Sequence, residues 1–257
     1  MDIKEKIYRK LMGKGLYQQR IDWTKQVLAG LEPGAKVLDA GAGECKNRAF
    51  CPQVHYISQD FCQYEIVEDR FWTPGDGKKG ERWDTSRIDI VSDITDIPVE
   101  NGSFDAIICT EVFEHLFNPM EAVKEFSRII REGGQLIITA PANCGTHMAP
   151  YFYYNGFSEY WYREVLDKND FEIIEIKENG NYFDVLKERV LSTRVVTKEY
   201  NNFKLNILER LCGLIEGMLL NRLSNKAKKI EKYQGGGSEK FICSEYMIIA
   251  YKKSKKK

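Results

Sequence analysis

The feature that most constrains this chain is an alternation of short apolar runs and helical patterns that begins at residue 36. Nearly continuous apolar runs at this spacing are typical of strands buried on both faces of a parallel sheet. The runs predicted as strands are Lys36–Ala40, Val54–Ser58, Ile88–Val91, Phe104–Cys109, Gln135–Thr139 and Phe171–Ile176. A helix is predicted over Met120–Arg131, with Gly133-Gly134 as its stop. The pattern predicts an α/β fold whose crossover helices cover a parallel sheet.

Two segments depart from this rhythm. Residues 70–87 carry a Pro-Gly-Asp-Gly run and two tryptophans, and they are predicted to form an excursion loop. Residues 178–239 are mainly helical in pattern and precede a predicted strand at Lys240–Tyr251. We therefore expect a single domain. Its predicted parts are N-terminal helices at 1–33, a core at 34–177, a helical insertion at 178–239, a closing strand at 240–252 and a basic tail at 253–257.

Composition excludes several classes of protein. The 257 residues are 43% hydrophobic, which is enough for a core, and the 38 basic residues balance the 38 acidic ones. A dedicated nucleic-acid binder would normally be net basic, so no nucleic-acid partner is expected. The seven cysteines form no CxxC pair and no zinc spacing, so no metal site is expected and a reducing, cytoplasmic location is favoured. The N-terminal segment has no signal-peptide pattern, and the apolar stretch at 205–220 is broken by charged residues.

The sharpest motif is a hydrophobic strand that ends in an acid and leads into a glycine turn. Asp39 precedes Gly41 and Gly43, which let the backbone approach a ligand closely. A dinucleotide-binding turn would have a third glycine at position 46, which is Lys46, and would not usually carry the acid. A carboxylate repels phosphate but attracts a ligand with an ammonium and a sulfonium group. This charge pattern fits S-adenosylmethionine.

Two further acids follow predicted strands. Asp60 ends the second run, at the distance from the glycine turn where an acid can accept hydrogen bonds from ribose hydroxyls. Asp93 and Ile94 follow the third run, where a carboxylate and a backbone N–H could bind adenine. Plainer interpretations are a helix cap at Asp39 and ordinary turn acids at Asp60 and Asp93.

Taken in order and spacing, the segments LDAGAG, QDF, SDITDIP, SFDAIICTEVFEHL and REGGQLIITAP resemble class I S-adenosylmethionine-dependent methyltransferases of the bacterial small-molecule type, similar to methyltransferase type 11. The resemblance covers residues 34–177 and the final strand. It implies a Rossmann-like, doubly wound seven-stranded sheet with an antiparallel last strand. One departure is Cys45, which stands where the family turn usually has its third glycine. The implied cofactor contacts are Asp39, Ala40, Gly41, Gly43, Asp60, Phe61, Asp93, Ile94 and Thr110.

Methyl transfer from a sulfonium requires alignment of the acceptor and exclusion of water, and a hydroxyl acceptor also benefits from a base. Of the three histidines, His55 lies on the second strand and is predicted to be structural. His115 follows the fourth strand and His147 lies in the loop after the fifth, so both are candidate bases. His115 could instead shape the cofactor pocket, because it belongs to a Glu-His-Leu signature that is widespread in the family.

The loop after the fifth strand is rich in aromatic residues. Tyr151, Tyr154 and Phe157 are predicted to wall an acceptor pocket, although aromatic clusters also serve as core or lid. The fourth strand runs into Cys109-Thr110-Glu111, not into the Asn/Asp-Pro-Pro-aromatic run of amino-methyltransferases that act on nucleic acid. The preferred hypothesis is methylation of a small-molecule acceptor, with O-methylation of a sugar or glycan unit favoured. The alternative is a non-catalytic methyltransferase-like subunit that holds cofactor or a partner.

The insertion contains an apolar helical stripe followed by basic residues. We interpret the stripe as a cap packed on the domain or on a second copy of the chain, which would form a homodimer. The alternative is peripheral membrane contact through residues 203–232, with the lysines near anionic lipid. Gly213 and Gly217 weaken an exposed helix, which favours close packing. The stripe consists of Leu205, Leu208, Leu211, Cys212, Ile215, Met218 and Leu219.

Overall fold

A seven-stranded mixed sheet carries the fold in the computed structural model. Its strands are β1 (Lys36–Ala40), β2 (His55–Asp60), β3 (Ile90–Val91), β4 (Phe104–Thr110), β5 (Ile130–Pro141), β6 (Phe171–Asn179) and β7 (Glu245–Lys252). They lie in the order β3-β2-β1-β4-β5-β7-β6, and β7 is antiparallel. The helices are α1 (Leu16–Ala29), α2 (Pro119–Ile129), α3 (Glu159–Lys168), α4 (Tyr182–Glu199) and α5 (Ile207–Glu231). The predicted Rossmann-like α/β sheet with an antiparallel last strand is confirmed.

The structure describes residues 11–63, 83–199, 203–231 and 237–254. The chain forms two compact units. The sheet unit consists of Asp22–Lys177 and Tyr246–Lys257, and the helical unit consists of Met1–Ile21 and Glu178–Glu245. Most of the excursion loop predicted at 70–87, including Trp72, lies outside the described residues, and so does the end of the predicted basic tail.

The centre of the sheet places the predicted site residues at one edge. β1 pairs in parallel with β2 on one side and with β4 on the other. Val37, Leu38 and Ala40 of β1 have no exposed surface, as expected of a strand covered on both faces. Because parallel strands end at the same edge, Asp39, Asp60 and the residues after β4 all lie at the carboxyl end of the sheet.

The glycine pair at 133–134 does not stop the preceding helix. α2 ends at Ile129, and the glycines lie inside β5, which begins at Ile130. A Cβ on Gly134 would lie 2.6 Å from Ile130 Cγ1 and 3.0 Å from the carbonyl oxygen of Asp105. The prediction was therefore wrong, because the missing side chain serves the close pairing of β4 and β5 at an irregular point in their register.

The closing strand begins later than predicted. The backbone N–H groups of Lys240 and Phe241 donate to Gly237 O and Ser238 O, which makes this stretch a turn. The strand starts only at Glu245, where a run of buried residues begins. Among the described residues, no helix is long and apolar enough to cross a membrane.

The helical unit is organised around a buried lysine. Lys187 Nζ donates to Met12 O at 2.9 Å, to Asp184 Oδ1 at 3.1 Å and to Asn221 Oδ1 at 3.1 Å. Lys228 Nζ donates to the other oxygen of Asp184 at 2.6 Å. Burial alone would raise the pKa of Asp184, but the two ammonium groups hold it below its usual value. The buried charges are therefore paired and hydrogen-bonded, as burial requires.

The apolar stripe of α5 is exposed. Ile207, Leu208 and Ile215 are 80%, 66% and 61% exposed, and Leu211 and Leu219 are about half exposed. The predicted packing of the stripe as a cap on the domain stays a prediction. A second copy or a membrane surface remains as the predicted partner.

Candidate active site

The glycine turn is shaped by its neighbours. Gly41 and Gly43 have φ values of 73° and 50°, in the left-handed region that favours glycine. The N–H groups of Gly41 and Ala42 donate to Gln59 O, both at 2.9 Å, which fixes the turn against the end of β2. A Cβ on Gly41 would lie 2.5 Å from Val112 Cγ2. The turn therefore has no room for a side chain at that position.

Cys45 behaves as the missing third glycine. It is buried and has a φ of 55°, so it adopts the left-handed conformation in which the family has glycine. Such a conformation is uncommon for a residue with a side chain. The fold is retained at this departure because the backbone keeps its course.

Asp39 is a fully buried carboxylate that other side chains hold in place. The Tyr56 hydroxyl and Asn47 Nδ2 both donate to it, the latter at 3.1 Å. The same Asn47 Nδ2 lies 3.2 Å from Thr110 Oγ1, which ties β1 to the end of β4. Burial raises the pKa of Asp39 to about 6, against the lowering effect of the two hydrogen bonds, and the nearby Asp60 raises it further. A cation placed here would favour the ionised form.

Asp60 is buried and joins two backbone segments. Its carboxylate accepts from Gly43 N and from Cys62 N, both at 2.9 Å. An ionised carboxylate has roughly four lone-pair sites, so it can accept several hydrogen bonds at once. The neighbouring Phe61 ring meets Tyr151 edge-on, with ring centres 5.3 Å apart.

Asp93 occupies a turn. Its Oδ1 accepts from Thr95 N at 2.8 Å and from Thr95 Oγ1 at 2.7 Å, and its side chain is exposed, whereas Ile94 is buried. The plainer interpretation of a turn acid fits these contacts. Its role toward adenine stays a prediction.

Three titratable side chains converge beyond the end of β4. His115 Nε2 lies 3.7 Å and His147 Nε2 lies 3.9 Å from Glu114 Oε1. The two imidazole rings are 4.8 Å apart and nearly perpendicular. Glu114 is 1% exposed. The structure therefore brings both candidate bases together, beside a buried carboxylate.

The aromatic loop is only partly assembled around this cluster. Tyr151 O lies 2.5 Å from His115 Nδ1, and its hydroxyl donates to Gln63 O at 2.7 Å. The Tyr154 hydroxyl donates to Phe117 O at 3.2 Å. Phe157, predicted to wall an acceptor pocket, is buried, and its ring packs on Phe113, Trp161 and Tyr162. Its packing therefore makes it a core residue.

Sequence reasoning missed several residues of the site. Glu114 was visible in the Glu-His-Leu signature but carried no predicted role. Asn47 and Tyr56, which bind Asp39, belong to no motif. The register of β1 and β2 brings Tyr56 to it, whereas Asn47 comes from the short 3-10 helix Lys46–Phe50 after the glycine turn. Trp83 packs its ring against Gly43, where a Cβ would lie 2.7 Å from Cζ3.

Comparison with known proteins follows the same segment of the chain. The family model described as "Methyltransferase domain" matches residues 38–138, which run from β1 into β5. The matched segment, which is less than half of the chain, is therefore similar to a methyltransferase domain. The match covers the glycine turn, the acids after β2 and β3 and two members of the histidine cluster.

The chain is similar to proteins whose names indicate different substrates. The "Probable tRNA methyltransferase 9B" of Mus musculus is 30% identical over 119 residues, which are 44% of this chain and 23% of that protein. The chain thus spans about a quarter of the length of that curated relative. The phosphoethanolamine N-methyltransferase 2 of Haemonchus contortus, solved with S-adenosyl-L-methionine, is 17% identical, with a TM-score of 0.51 over 96% of this chain and 56% of that chain.

A third similar structure is the [4+2]-cyclase SpnF, which is 15% identical with a TM-score of 0.51 and covers 92% of this chain and 83% of that chain. At these identities the structural likeness shows only the fold of this chain. Its chemistry has to be argued from its own residues.

Proposed function

We propose that this protein transfers a methyl group from S-adenosylmethionine to an oxygen of a small-molecule acceptor, such as a hydroxyl of a sugar or glycan unit. The observation that carries the proposal is the placement of the Glu114, His115 and His147 cluster at the sheet edge that also bears the glycine turn. Ligands of open α/β sheets bind at this edge. The cofactor, when bound, supplies an electrophilic methyl group on a sulfonium.

The residues of the turn fit this cofactor. Asp39 is a buried anion whose raised pKa would fall beside an ammonium group, so ion pairing there is favourable. Asp60 is a buried carboxylate at the same sheet edge, where an acid can accept hydrogen bonds from ribose hydroxyls. Gly41 brings backbone to the same edge without a side chain. We assign Asp39, Ala40, Gly41, Gly43 and Thr110 to the methionine part, Asp60 and Phe61 to the ribose, and Asp93 and Ile94 to adenine.

The acceptor is placed beside the histidine cluster. A hydroxyl oxygen becomes a useful nucleophile only when its proton is taken up, and the cluster offers two imidazoles and a carboxylate for this purpose. Tyr151 and Tyr154 approach the cluster from the loop after β5 and are half-buried, which suits contact with a sugar face. Phe157 supports them from the core.

The cofactor half of the proposal is tested by calorimetry with S-adenosylmethionine and S-adenosylhomocysteine. Binding of both is expected, and Asp60→Ala should weaken it by at least tenfold because a buried acceptor of hydroxyls is removed. Absence of binding of either compound would contradict the enzyme proposal.

The acceptor half is tested by turnover on a panel of hydroxylated small molecules. His115→Ala and His147→Ala should each lower turnover by roughly 100-fold with little change in cofactor affinity. His55→Ala is the matched control, since His55 is exposed on β2. Full activity in both cluster variants would contradict catalysis at this site.

The alternative function is a non-catalytic subunit that binds cofactor or a partner. The cyclase of the same fold supports this alternative, because it bears a different activity on a similar chain course. Cofactor binding without turnover on any acceptor, with RNA included in the panel because of the tRNA methyltransferase relative, would favour it.

We also propose that the exposed face of α5 meets a second copy of the chain or, as the less favoured partner, an anionic membrane surface. Exposed leucines and isoleucines in this number are costly on a monomer. Sedimentation velocity and flotation with phosphatidylglycerol vesicles separate the two partners. Leu211→Glu with Ile215→Glu should abolish either association, and Lys226→Ala should weaken only the lipid contact. The seven free thiols support a cytoplasmic location.

A further inference from the structure

The hydrogen bonds of the two histidine rings define which nitrogen faces the cluster. His115 Nδ1 lies 2.5 Å from Tyr151 O, and His147 Nδ1 lies 2.9 Å from Gly145 O. A carbonyl oxygen only accepts hydrogen bonds, so Nδ1 carries the hydrogen in both rings. In the neutral ring, Nε2 then presents its lone pair.

Both of these Nε2 atoms point to the same carboxylate. They lie 3.7 Å and 3.9 Å from Glu114 Oε1, and one ligand atom of each residue lies within 4.8 Å of the others. Ligand atoms around a tetrahedral ion at about 2.1 Å are about 3.4 Å apart. The two separations from Glu114 Oε1 therefore exceed those around a bound ion by about 0.3 Å and about 0.5 Å, which small side-chain rotations can close.

From this geometry we propose that Glu114, His115 and His147 form a binding site for a divalent cation that prefers imidazole and carboxylate ligands, with Zn²⁺ as the representative ion. Two histidines and one glutamate are a ligand set of catalytic zinc sites, which keep a fourth position open. The bonds from Nδ1 to backbone carbonyls are the outer contacts that fix the tautomer of ligating histidines.

The surroundings of the site fit an ion. The Glu114 carboxylate is nearly inaccessible to solvent, and a cation beside a buried carboxylate lowers the free-energy cost of its burial. The side chains of His115 and His147 are 14% and 13% exposed, so a narrow approach to the site remains. The ring of Phe152 lies 5.0 Å from the His147 ring and shields that side.

The ion deepens the proposed function, on which its catalytic role rests. Its open position would hold an oxygen of the acceptor and lower the pKa of a bound hydroxyl, whose proton passes to water. An Nε2 atom that binds the ion cannot also take up a proton, so the ion replaces a histidine as the activating group. The acceptor class is then one with a hydroxyl that can coordinate a metal.

The test is calorimetric titration of tag-free protein with ZnCl₂, without cofactor or acceptor. One equivalent per chain is expected, and His115→Ala and His147→Ala should each weaken binding by at least tenfold. His55→Ala is the matched control and should bind as the parent does. Absence of stoichiometric zinc binding by the parent, or zinc binding by both cluster variants as tight as that of the parent, overturns the site.

Two further measurements keep the outcome decisive. Titration with CoCl₂ reports the ligand type by absorption, and a thiolate charge-transfer band would place the ion on cysteines and overturn the proposal. Circular dichroism checks folding, and if His115→Ala is unfolded, His147→Ala in the loop after β5 carries the comparison. Binding of S-adenosylhomocysteine is measured on the same samples. If this compound binds and zinc does not, only the metal site is contradicted. If zinc binds and this compound does not, the proposed function is contradicted.

Discussion

Asp39 is held close to its point of titration by its surroundings. It lies on a buried strand, and only two side-chain donors offset the loss of water around its charge. A carboxylate in this state responds strongly to a cation, because ion pairing recovers the free energy that burial costs. The residue therefore links β1 and β2 through Tyr56, and its role toward an ammonium group is a prediction.

Cofactor affinity should depend on pH through Asp39. The pKa of about 6 is raised above the ordinary value of 3.8, so the group is protonated below pH 6 and cannot pair with an ammonium. The dissociation constant of S-adenosylhomocysteine should rise by up to about tenfold per pH unit below 6 and stay level above it. Calorimetry between pH 5 and 8 measures this, with Asp39→Asn as the control. A parent profile as flat as that of the variant would contradict the role of Asp39.

The raised pKa of Asp39 also affects the folding stability of the protein. The unfolded chain loses the Asp39 proton near 3.8 and the folded chain near 6, so folding stability from this group is highest at low pH and falls as pH rises through that window. Binding of a cation offsets this loss above pH 6.

Gly41→Ala should damage both folding and cofactor binding. The backbone is left-handed there, and the new Cβ would lie 2.5 Å from Val112. We expect a loss of about 2 kcal/mol in the free energy of unfolding and at least a tenfold loss of cofactor affinity. Urea unfolding and calorimetry measure the two effects.

Gly34→Ala separates backbone strain from the clash. Gly34 has a φ of 80°, and none of the described residues lies within 4 Å of its added Cβ. It should lose only about 1 kcal/mol and keep its affinity. Equal losses in the two variants would show that the contact with Val112 is unimportant.

Motif residues such as Asp39, Gly41 and Asp60 could be predicted because their spacing along the chain follows directly from strand and turn geometry. The proximity of Glu114 to His147 could not be predicted, because these residues are far apart in sequence and meet only when β4 and β5 pair. The expectation that no metal site exists was based on cysteine and histidine spacing along the chain, which carries no information about side chains that follow two different strands.

At the scale of elements, apolar runs located the strands better than glycines located the boundaries. The run at Lys36–Ala40 coincides with β1, because a strand buried on both faces has to be apolar throughout. Gly133-Gly134 gave a wrong helix end because a glycine can either end a helix or allow the close approach of a neighbouring backbone. Only the position of the paired strand distinguishes these two roles.

The two glycines of α5 should respond differently to alanine. None of the described residues lies within 4 Å of a Cβ on Gly213, so Gly213→Ala should gain about 1 kcal/mol from helix propensity. A Cβ on Gly217 would lie 3.2 Å from Leu191 Cδ2 and 3.3 Å from Met12 Sδ. That crowding should cancel the gain. Urea unfolding followed by circular dichroism measures both, and an equal gain at the two positions would contradict the packing at Gly217.

At the scale of the whole molecule, the residues assigned to the cofactor belong to the sheet unit, whereas the buried Lys187 network belongs to the helical unit. Stability gained from ligand binding should therefore appear in the unfolding of the sheet unit. The sheet unit contains an apolar core, and the helical unit contains a buried, paired lysine and aspartate.

S-adenosylhomocysteine at 100 times its dissociation constant should stabilise the sheet unit by about 2.7 kcal/mol. For a unit of this size the melting temperature should rise by roughly 5–10 °C. Differential scanning calorimetry measures the shift, and Asp60→Ala, with at least a tenfold weaker affinity, should lose about half of it or more at the same ligand concentration. A shift of equal size in Asp60→Ala would place the ligand elsewhere.

The seven free cysteines differ widely in exposure, and this difference provides a point for attaching a dye. Cys45, Cys51, Cys109 and Cys243 are buried and Cys62 and Cys144 half-buried, whereas Cys212 is exposed on α5. Burial raises the pKa of the Cys51 thiol to about 11, so its reactive thiolate is scarce at neutral pH. A maleimide fluorophore should therefore react first at Cys212. The emission wavelength and anisotropy of this fluorophore would then report the binding of a partner to the apolar face of α5, without any engineered residue.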